Sequence, residues 1–302
     1  MSGPDILCLG EPLVEFVREP DGRWRMGYGG DTSNAAISAA RQGARVGYLG
    51  ALGADLFGDG VVDHWAVEGV DAAAVRRDPN APTGLNFVEP DPAARRFTYV
   101  RKNSAASLYG PEHLDHDAVR RARVLHLSGI TLAVSAPLRA AGLAAMETAQ
   151  AAGTQVSLDT NLRLALWPRE KARAVLRAAA ERTDVLVTSI DDSEALFGLS
   201  DADAIIDMWR ETGPGTVIVT MGERGCRLIV GEERRSIAAA PSTPVDSTGA
   251  GDSFSGAFHA WRLETGDAFE AARRAAIVAA GTVSGYGATA PIPHRAAVLA
   301  AL

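Results

Sequence analysis

The sequence predicts an α/β fold in which helices cover both faces of a central, mainly parallel β-sheet. From Val124 onward, short apolar segments alternate with helical patterns, and repeated β-α units of this kind imply a parallel sheet with helices on both faces. Polar residues follow directly after each apolar segment, at the carboxyl ends of the strands, where α/β proteins bind their ligands. We predict strands at 124–127, 155–158, 185–187 and 217–219, and helices at 135–152, 169–182 and 201–212.

The amino-terminal part of the chain continues this pattern. Residues 5–10 form an apolar run that ends in glycine, which is typical of a buried strand, and Glu11 follows at its carboxyl end. A helix is predicted from 31 to about 42, and a second core strand at 45–49. The glycine-rich segment 50–58 leads into a further helix that continues through Glu68.

Two insertions interrupt the β-α alternation. Residues 13–18 and 23–28 alternate like half-exposed strands around a turn at 20–22, and residues 84–89 and 96–102 form a second hairpin pattern around a turn at 90–92. We expect the two hairpins to pair as a β-lid formed by about 12–29 and 84–103. The whole chain, 1–302, is then one domain that carries this lid.

Composition narrows the class of protein. Hydrophobic residues at 47% and charged residues at 22% are ordinary for a soluble globular protein, and a net charge of −7 offers no basic surface for nucleic acid. No apolar run approaches the roughly 20 residues that span a bilayer, and the N-terminus does not resemble a secretory signal. We therefore expect a cytoplasmic protein without membrane contact, in which Cys8 and Cys226 are buried, reduced thiols.

Residues 244–258 change from a polar, glycine-broken loop into an apolar helical pattern. Thr248-Gly249-Ala250-Gly251 shields its backbone very little, and N–H groups at a helix start bind anions with the help of the helix dipole. Asp252, in the first turn, would be repelled by a bound phosphate unless it takes a proton from an attacking hydroxyl, as a carboxylate base does in phosphoryl transfer. Alone, the stretch also fits a tight turn with an acid that stabilises the helix dipole.

A second glycine region opens the helix predicted from residue 31. Gly29-Gly30-Asp31-Thr32-Ser33-Asn34 again exposes backbone at a helix start, here with carboxylate and amide side chains that can bind several hydroxyls. A simple capping turn is the alternative. Arg101 and Lys102, at the end of the second hairpin, fit either a binding role or a solvated strand end. Residues 112–117 have the residue types of a metal site, but we interpret them as a solvated face.

Together these motifs make the chain resemble the ribokinase-like (PfkB) carbohydrate kinases along nearly its whole length. The amino-terminal signature of that family is matched by residues 29–36 and the carboxy-terminal one by residues 246–254, in the expected order and more than 200 positions apart. Within the family the chain is most similar to 2-keto-3-deoxygluconate kinases, through Gly-Gly-Asp-Thr at 29–32 and the segments 99–105, 125–130 and 159–167.

The resemblance implies an ATP-dependent kinase that phosphorylates the terminal hydroxyl of 2-keto-3-deoxygluconate. Asp252 is then the catalytic base, and the N–H groups of Gly249, Ala250 and Gly251 stabilise the transferring phosphoryl group. In those kinases, arginines that correspond to Arg101 and Arg163 meet the acidic sugar, and a guanidinium fork suits a carboxylate. The complete sugar pocket implied is Gly30, Asn34, Asn86, Tyr99, Arg101, Ile130, Arg163 and Asp252.

For the nucleotide, the resemblance implies Ser189, Thr220, Gly222, Gly225, Gly249 and Gly251, with the adenine against segment 276–287. Two positions depart from the family pattern. Asn86 stands where some members have a tyrosine, which leaves the sugar open, and Ser189-Ile190-Asp191-Asp192 replaces an Asn-x-x-Glu motif that organises magnesium. We expect Asp192 to act indirectly on Mg²⁺, which ATP phosphates and water hold directly.

Several alternatives remain at this stage. The sugar can be a related keto-deoxy acid, fructose, ribose or 5-keto-2-deoxygluconate, and a sugar-binding regulator without turnover is a different class of function. The family also includes enzymes activated by a monovalent cation, and no residue here decides that point. Because exposed lid edges are a liability unless covered, we expect a homo-oligomer, either a dimer or an assembly of dimers.

Overall fold

The computed structural model describes residues 3–89 and 96–302, so the turn predicted at 90–92 lies outside the described residues. In chain order the strands are β1 (Ile6–Leu9), β2 (Leu13–Arg18), β3 (Trp24–Gly29), β4 (Val46–Gly53), β5 (Val70–Asp71), β6 (Val75–Asp78), β7 (Gly84–Glu89), β8 (Arg96–Val100), β9 (Val124–Ser128), β10 (Gln155–Asp159), β11 (Val185–Ser189), β12 (Thr216–Thr220), β13 (Cys226–Val230) and β14 (Glu233–Ile237). The helices are α1 (Asp31–Arg41), α2 (Leu56–Glu68), α3 (His116–Arg121), α4 (Gly129–Ala133), α5 (Ala136–Ala152), α6 (Arg169–Ala180), α7 (Ile190–Phe197), α8 (Ala202–Arg210), α9 (Ala250–Thr265), α10 (Ala268–Val283) and α11 (Arg295–Ala300).

The central sheet confirms the predicted fold class. Within the described residues its strand order is β14-β13-β12-β11-β10-β9-β1-β4-β5, and β6 also pairs with β4. Every pairing from β12 through β5 is parallel, as is that of β6 with β4. The β13–β14 hairpin adds antiparallel strands at one edge. All the strands and helices predicted for the β-α units are present.

Side chains of the buried strands alternate between two apolar cores, one on each face of the sheet. On β1, Leu7 joins the core that contains Leu176 of α6, whereas its neighbour Cys8 joins the core that contains Phe258 of α9. This alternation is expected when a strand is covered on both faces, since successive side chains point to opposite sides. It places α1, α2, α9, α10 and α11 against one face and α5, α6 and α8 against the other.

Several elements extend beyond the sequence prediction, and three of them lie in the central sheet or directly after one of its strands. Strand β4 continues to Gly53, through glycines that we had assigned to the approach of the following helix. Helix α7 begins directly after β11, and Ser189 caps it by accepting from the backbone N–H of Asp192. The β13–β14 hairpin was not predicted; Gly231, with φ of 58°, lies between its two strands. Five-residue strands with charged side chains give a weak sequence signal.

The two insertions form a separate four-stranded sheet among the described residues, in the order β3-β2-β7-β8. Each predicted hairpin is antiparallel, and the two hairpins join through a parallel pairing of β2 with β7. On the edge strands, Trp24, Met26, Phe97 and Val100 are 42%, 49%, 47% and 55% exposed.

Arg41 connects three parts of the chain that are distant in sequence. Its Nε and Nη2 donate to the two carboxylate oxygens of Glu68 in α2, both at 2.7 Å. Its Nη1 donates to the backbone carbonyls of Thr289 and Ile292 at 2.8 and 2.7 Å. The two charged side chains are only 8% and 11% exposed, so removal of one leaves the other buried without its partner.

We expect Arg41→Ala to lower the free energy of unfolding by about 3 kcal/mol, since breaking a buried ion pair leaves the other charge buried without a partner. Arg23→Ala is the matched control: Arg23 is 79% exposed beside Asp21, and its loss should change stability by less than about 0.5 kcal/mol. Urea denaturation measures both effects. Because Arg41 lowers the pKa of Glu68, the pair stabilises above the ordinary glutamate pKa, and this is lost as pH falls through the lowered value. If the two substitutions lowered the free energy of unfolding equally at neutral pH, the buried pair of Arg41 with Glu68 would not stabilise the fold as proposed.

Both cysteines are buried and free, as predicted. Burial raises the pKa of the Cys226 thiol to about 12 and raises that of Cys8 further. Across residues 3–89 and 96–302, no helix combines the length and apolar character that crossing a membrane requires.

Candidate active site

The carboxyl ends of the parallel strands and the N-termini of two helices meet at one place. Glu11 follows β1, and the segment 159–163 spans the end of β10 and the loop after it. Gly30 precedes α1, and a Cβ at that position would lie 2.4 Å from the carbonyl oxygen of Glu11. Gly30 also has φ of 105°, so glycine is required for the helix to begin this close to the strand.

Asp252 lies in the first turn of α9, where two amides hold its carboxylate. Asn34 Nδ2 donates to Oδ2 at 2.8 Å, and Asn161 Nδ2 donates to Oδ1 at 3.1 Å. Burial, followed by the charge of Asp31, raises the pKa of Asp252 to about 7, although Asn34, Arg163 and Asn161 oppose the shift. A carboxyl group with this pKa is well suited to accept a proton near neutral pH.

The start of α9 has the features of an anion site. Its N-cap is Gly249, with φ of 77°, and no side chain in the described part of the chain caps the helix. A Cβ on Gly249 would lie 2.6 Å from the carbonyl oxygen of Ala288, whereas one on Gly251 would meet nothing within 4 Å. Asp246 fixes the loop, since its carboxylate accepts from the backbone N–H groups of Thr248 and Gly287 at 2.8 and 3.1 Å. The first turn is therefore both preformed and open.

The two predicted sugar-acid arginines reach the site from different parts of the fold. Arg101 follows β8 of the small sheet, stacks 3.9 Å above the ring of Tyr99, and pairs with the buried Glu11 at 3.2 Å. Arg163 donates to the carbonyl oxygen of Leu162 at 2.8 Å. The charges of both arginines act against the rise that burial causes in the pKa of Tyr99, so both lie near that ring.

Glu11 is 1% exposed, and neither of its carboxylate oxygens makes a hydrogen bond within the described residues. Burial raises its pKa to about 7, and the charge of Arg101 opposes that rise. Glu11 stands at a strand end, but no local pattern indicates its contact with Arg101, which is 90 positions away. The ion pair ties the small sheet to the central one.

Two other predicted sugar residues lie at the margin of this group. Asn86, on β7, donates to Glu15 of β2 at 3.2 Å inside the small sheet. Ile130 lies in the first turn of α4, two residues after the capping residue Ser128. The hydroxyl of Ser128 bonds to Asp31; burial raises the pKa of Asp31, and this hydrogen bond opposes the rise. Their contact with a sugar remains a prediction.

The residues predicted for the nucleotide follow β11 and β12. Ser189 and Thr220 are partners in the parallel register of these strands, so their side chains belong to one region of the sheet edge. Gly222 opens a short 3₁₀ turn, and Gly225, with φ of 85°, closes it. A Cβ on Gly225 would lie 2.0 Å from the carbonyl oxygen of Ile237. The structure thus gives Gly225 a packing role, and its contact with nucleotide remains a prediction.

Asp192 holds the loop after β10. Its Oδ2 accepts from Thr160 Oγ1 at 2.6 Å and from the backbone N–H of Leu162 at 3.0 Å. Residues 3–89 and 96–302 contain no group of three or more His, Cys, Asp or Glu side chains that could hold a metal ion. Asp192 therefore shapes the segment that carries Arg163, and its indirect role toward magnesium remains a prediction.

An apolar cleft of about 230 Å³ lies along the end of α10. Its walls include Ile277, Ala280, Gly281 and Ser284, within the segment 276–287 where we predicted the adenine. Ala240 and Pro241 form part of the opposite side. Small side chains and an apolar surface suit a flat aromatic ring.

The sequence does not indicate the contact between Asp31 and Asn161. These two side chains are hydrogen-bonded to each other at 3.3 Å, across 130 positions of sequence. A contact over that separation leaves no local pattern, so Asp31 was expected only to bind hydroxyls and Asn161 had no predicted role. Asp159, directly after which the loop begins, accepts from Ser255 of α9 at 3.0 Å. Burial and the carboxylates of Asp252 and Asp192 raise the pKa of Asp159 to about 8.

Fold and site together define an α/β protein in which an open helix N-terminus lies beside a buried carboxylate. The pfkB family carbohydrate kinase description matches residues 4–295. The chain is 34% identical to the 2-dehydro-3-deoxygluconokinase of Thermoproteus tenax, covering 96% of this chain and 92% of that protein. It is 35% identical to probable fructokinase-4 of Arabidopsis thaliana, with 83% and 80% covered.

The crystal structure of a putative ribokinase II from E. coli in complex with ATP and Mg²⁺ has the same fold, with a TM-score of 0.90 at 26% identity. The match covers 100% of this chain and 99% of the ribokinase II chain. The protein therefore belongs to the pfkB family of carbohydrate kinases and has a ribokinase-like fold. It is an enzyme that transfers a phosphoryl group to a sugar.

Proposed function

We propose that this kinase uses ATP to phosphorylate the terminal primary hydroxyl of 2-keto-3-deoxygluconate, also called 2-dehydro-3-deoxygluconate, and releases the 6-phosphate. The main support is the position of Arg101, whose guanidinium lies 3.9 Å from the centre of the Tyr99 ring, and of Arg163, whose charge lowers the pKa of the same tyrosine. Arg101 also pairs with Glu11, and a carboxylate on the sugar adds charge-assisted hydrogen bonds to a guanidinium that a neutral sugar cannot make. The dehydro-deoxygluconokinase relative supports the same assignment.

The start of α9 fits the phosphates of ATP. Its first turn has no side-chain cap, and the space beside Gly251 is open. Backbone N–H groups in that turn, at Gly249, Ala250 and Gly251, bind the charge that develops on the transferring phosphoryl group. The adenine lies in the apolar cleft at Ile277 and Gly281, and Ser189, Thr220, Gly222 and Gly225 flank the phosphates and ribose.

Asp252 is the base in this mechanism. It accepts the proton of the terminal hydroxyl while the hydroxyl oxygen forms a bond to the γ-phosphorus. The bond from that phosphorus to the bridging oxygen breaks, and ADP leaves. Asn34, Gly30 and Ile130 hold the sugar. Magnesium would be held chiefly by the phosphates and water and would neutralise charge on the nucleotide, and Asp192 would act on it only indirectly.

The small sheet is the lid in this proposal. Tyr99 and Arg101 lie at the end of β8, so closure of that sheet over a bound sugar excludes water that could otherwise accept the phosphoryl group. We also propose that a second copy of the chain covers the exposed edge strands, because such edges favour association. A monomeric mass in light scattering would rule out the second copy.

A panel assay of ADP release tests the substrate directly. The panel contains 2-keto-3-deoxygluconate, a related keto-deoxy acid, 5-keto-2-deoxygluconate, fructose and ribose, each with Mg²⁺ and ATP. We expect kcat/KM for 2-keto-3-deoxygluconate to exceed that for fructose at least 10-fold, since one charge-assisted pair contributes roughly 1.5–3 kcal/mol, or about 10- to 150-fold. A preference for fructose, which the fructokinase relative makes the main alternative, contradicts the proposal. Binding without turnover of any sugar indicates a regulator.

A further inference from the structure

One amide side chain lies between the two carboxylates of the active site. Asn161 Nδ2 is 3.1 Å from Asp252 Oδ1 and 3.3 Å from Asp31 Oδ2. An amide nitrogen carries two hydrogens, so it can donate to both carboxylates at the same time. The other oxygen of Asp252 is held by Asn34. Both oxygens of the proposed base are therefore fixed by amide donors.

The backbone of Asn161 is held in an unusual conformation. Its φ is 30°, and in the described part of the chain only Asn103 shares a positive φ among non-glycine residues. Positive φ is unfavourable for residues with a Cβ, and asparagine tolerates it better than most. Here neighbouring carboxylates hold the loop: Asp159 accepts from the backbone N–H of Asn161 at 3.1 Å, and Asp192 binds Thr160 and Leu162 on either side.

We propose that Asn161 is a positioning residue that holds the carboxylate of Asp252 in the orientation for proton transfer and keeps it apart from Asp31. The inference rests on the proposed role of Asp252 as the base. Strain in a backbone is usually found where a function needs it, and the strained residue here is the one that contacts both acids. Glycine would adopt this φ more easily, but it has no side-chain amide that could donate to the two carboxylates.

The charges around Asp252 decide what removal of the amide does. Asp31 faces it from α1, Asp159 from β10, and Arg163 from the loop after β10. Without the Asn161 donor the two negative charges of Asp31 and Asp252 oppose each other directly. The ionised form of Asp252 then becomes less favourable, so its pKa rises and the base is ionised only at higher pH.

Asn161→Gly separates positioning from structure. This variant relaxes the backbone at positive φ but leaves the two buried carboxylates without the amide donor, so the two effects offset each other and we expect its free energy of unfolding to stay within about 1 kcal/mol of the wild type. We expect kcat to fall roughly 10- to 100-fold, as for a small misplacement of a reacting group, with KM for the sugar within about threefold. The acid side of the kcat/KM profile should move to higher pH. Asn103→Gly, at an exposed position with φ of 60°, is the control and should keep the wild-type kcat and pH profile.

Asn161→Asp provides a second test that keeps the side-chain shape. It replaces the donor with a third carboxylate, so the acid side of its profile should move further toward high pH than that of Asn161→Gly. A normal kcat and pH profile in both variants, with Asp252→Asn inactive, overturns this inference and leaves the base assignment intact. If Asp252→Asn is active as well, the proposed base is wrong and the inference fails with it.

Discussion

Asp252→Asn is expected to lower kcat by about 1,000-fold while the dissociation constant for the sugar changes less than about threefold. A general base contributes typically 10²- to 10⁴-fold to a rate, and asparagine keeps the size of the side chain but cannot accept the proton. Because Asn34 and Asn161 donate to the two oxygens of this carboxylate at 2.8 and 3.1 Å, the new amide can accept from one of them and places its own hydrogens against those of the other. Steady-state kinetics gives kcat, and calorimetry gives the sugar affinity.

The pH dependence of the wild type provides a second view of the same group. Burial raises the pKa of Asp252 to about 7, and the base must be ionised to act. Activity is therefore expected to fall as pH drops below about 7 and to level off above it. Asp117→Asn is a suitable control, because Asp117 also lies in the first turn of a helix and its side chain is 72% exposed. A near-normal kcat for Asp252→Asn would remove Asp252 from the mechanism.

Arg163→Ala is expected to weaken binding of the acidic sugar roughly 100-fold and that of fructose less than about fivefold. The acidic sugar loses a charge-assisted bond to its carboxylate, worth roughly 1.5–3 kcal/mol, whereas the neutral sugar has no carboxylate to lose. Dissociation constants from calorimetry allow a poor substrate to be compared with a good one. The charge of Arg163 also lowers the pKa of Asp252, so its removal changes the ionisation of Asp252 near neutral pH. Both ligands should therefore be measured at pH 8.5, where Asp252 is ionised in either protein.

Two further variants sharpen this comparison. Arg163→Lys keeps the charge without the planar fork, and we expect an affinity between those of the wild type and Arg163→Ala. Arg169→Ala removes a nearby arginine whose side chain is 56% exposed beside Glu170, and it should bind both sugars normally. Equal losses for acidic and neutral sugars in Arg163→Ala would contradict the carboxylate contact.

Local features made much of the fold and part of the site predictable. Apolar runs of strand length and helical periodicities identified the β-α units. The glycines at 29–30 and 249–251 were recognisable because each group directly precedes or opens a helix whose first backbone N–H groups are exposed. Long-range contacts gave no such signal. Asn34 and Asp252 are 218 positions apart, so their hydrogen bond follows from the tertiary arrangement of α1 and α9. The anchoring role of Asp192 and the ion pair of Glu11 with Arg101 were hidden for the same reason.

The parallel pairing of β2 with β7 has a consequence for how the protein folds. Each hairpin of the small sheet can form from neighbours in sequence, but Glu15 and Asn86, which join the hairpins, are 71 positions apart. Closing a loop of that length costs chain entropy, and contacts of high sequence separation form slowly. We expect each hairpin to form before the two hairpins pair with each other. The part of the proposed pocket that Tyr99 and Arg101 form is then complete only once β2 and β7 have paired.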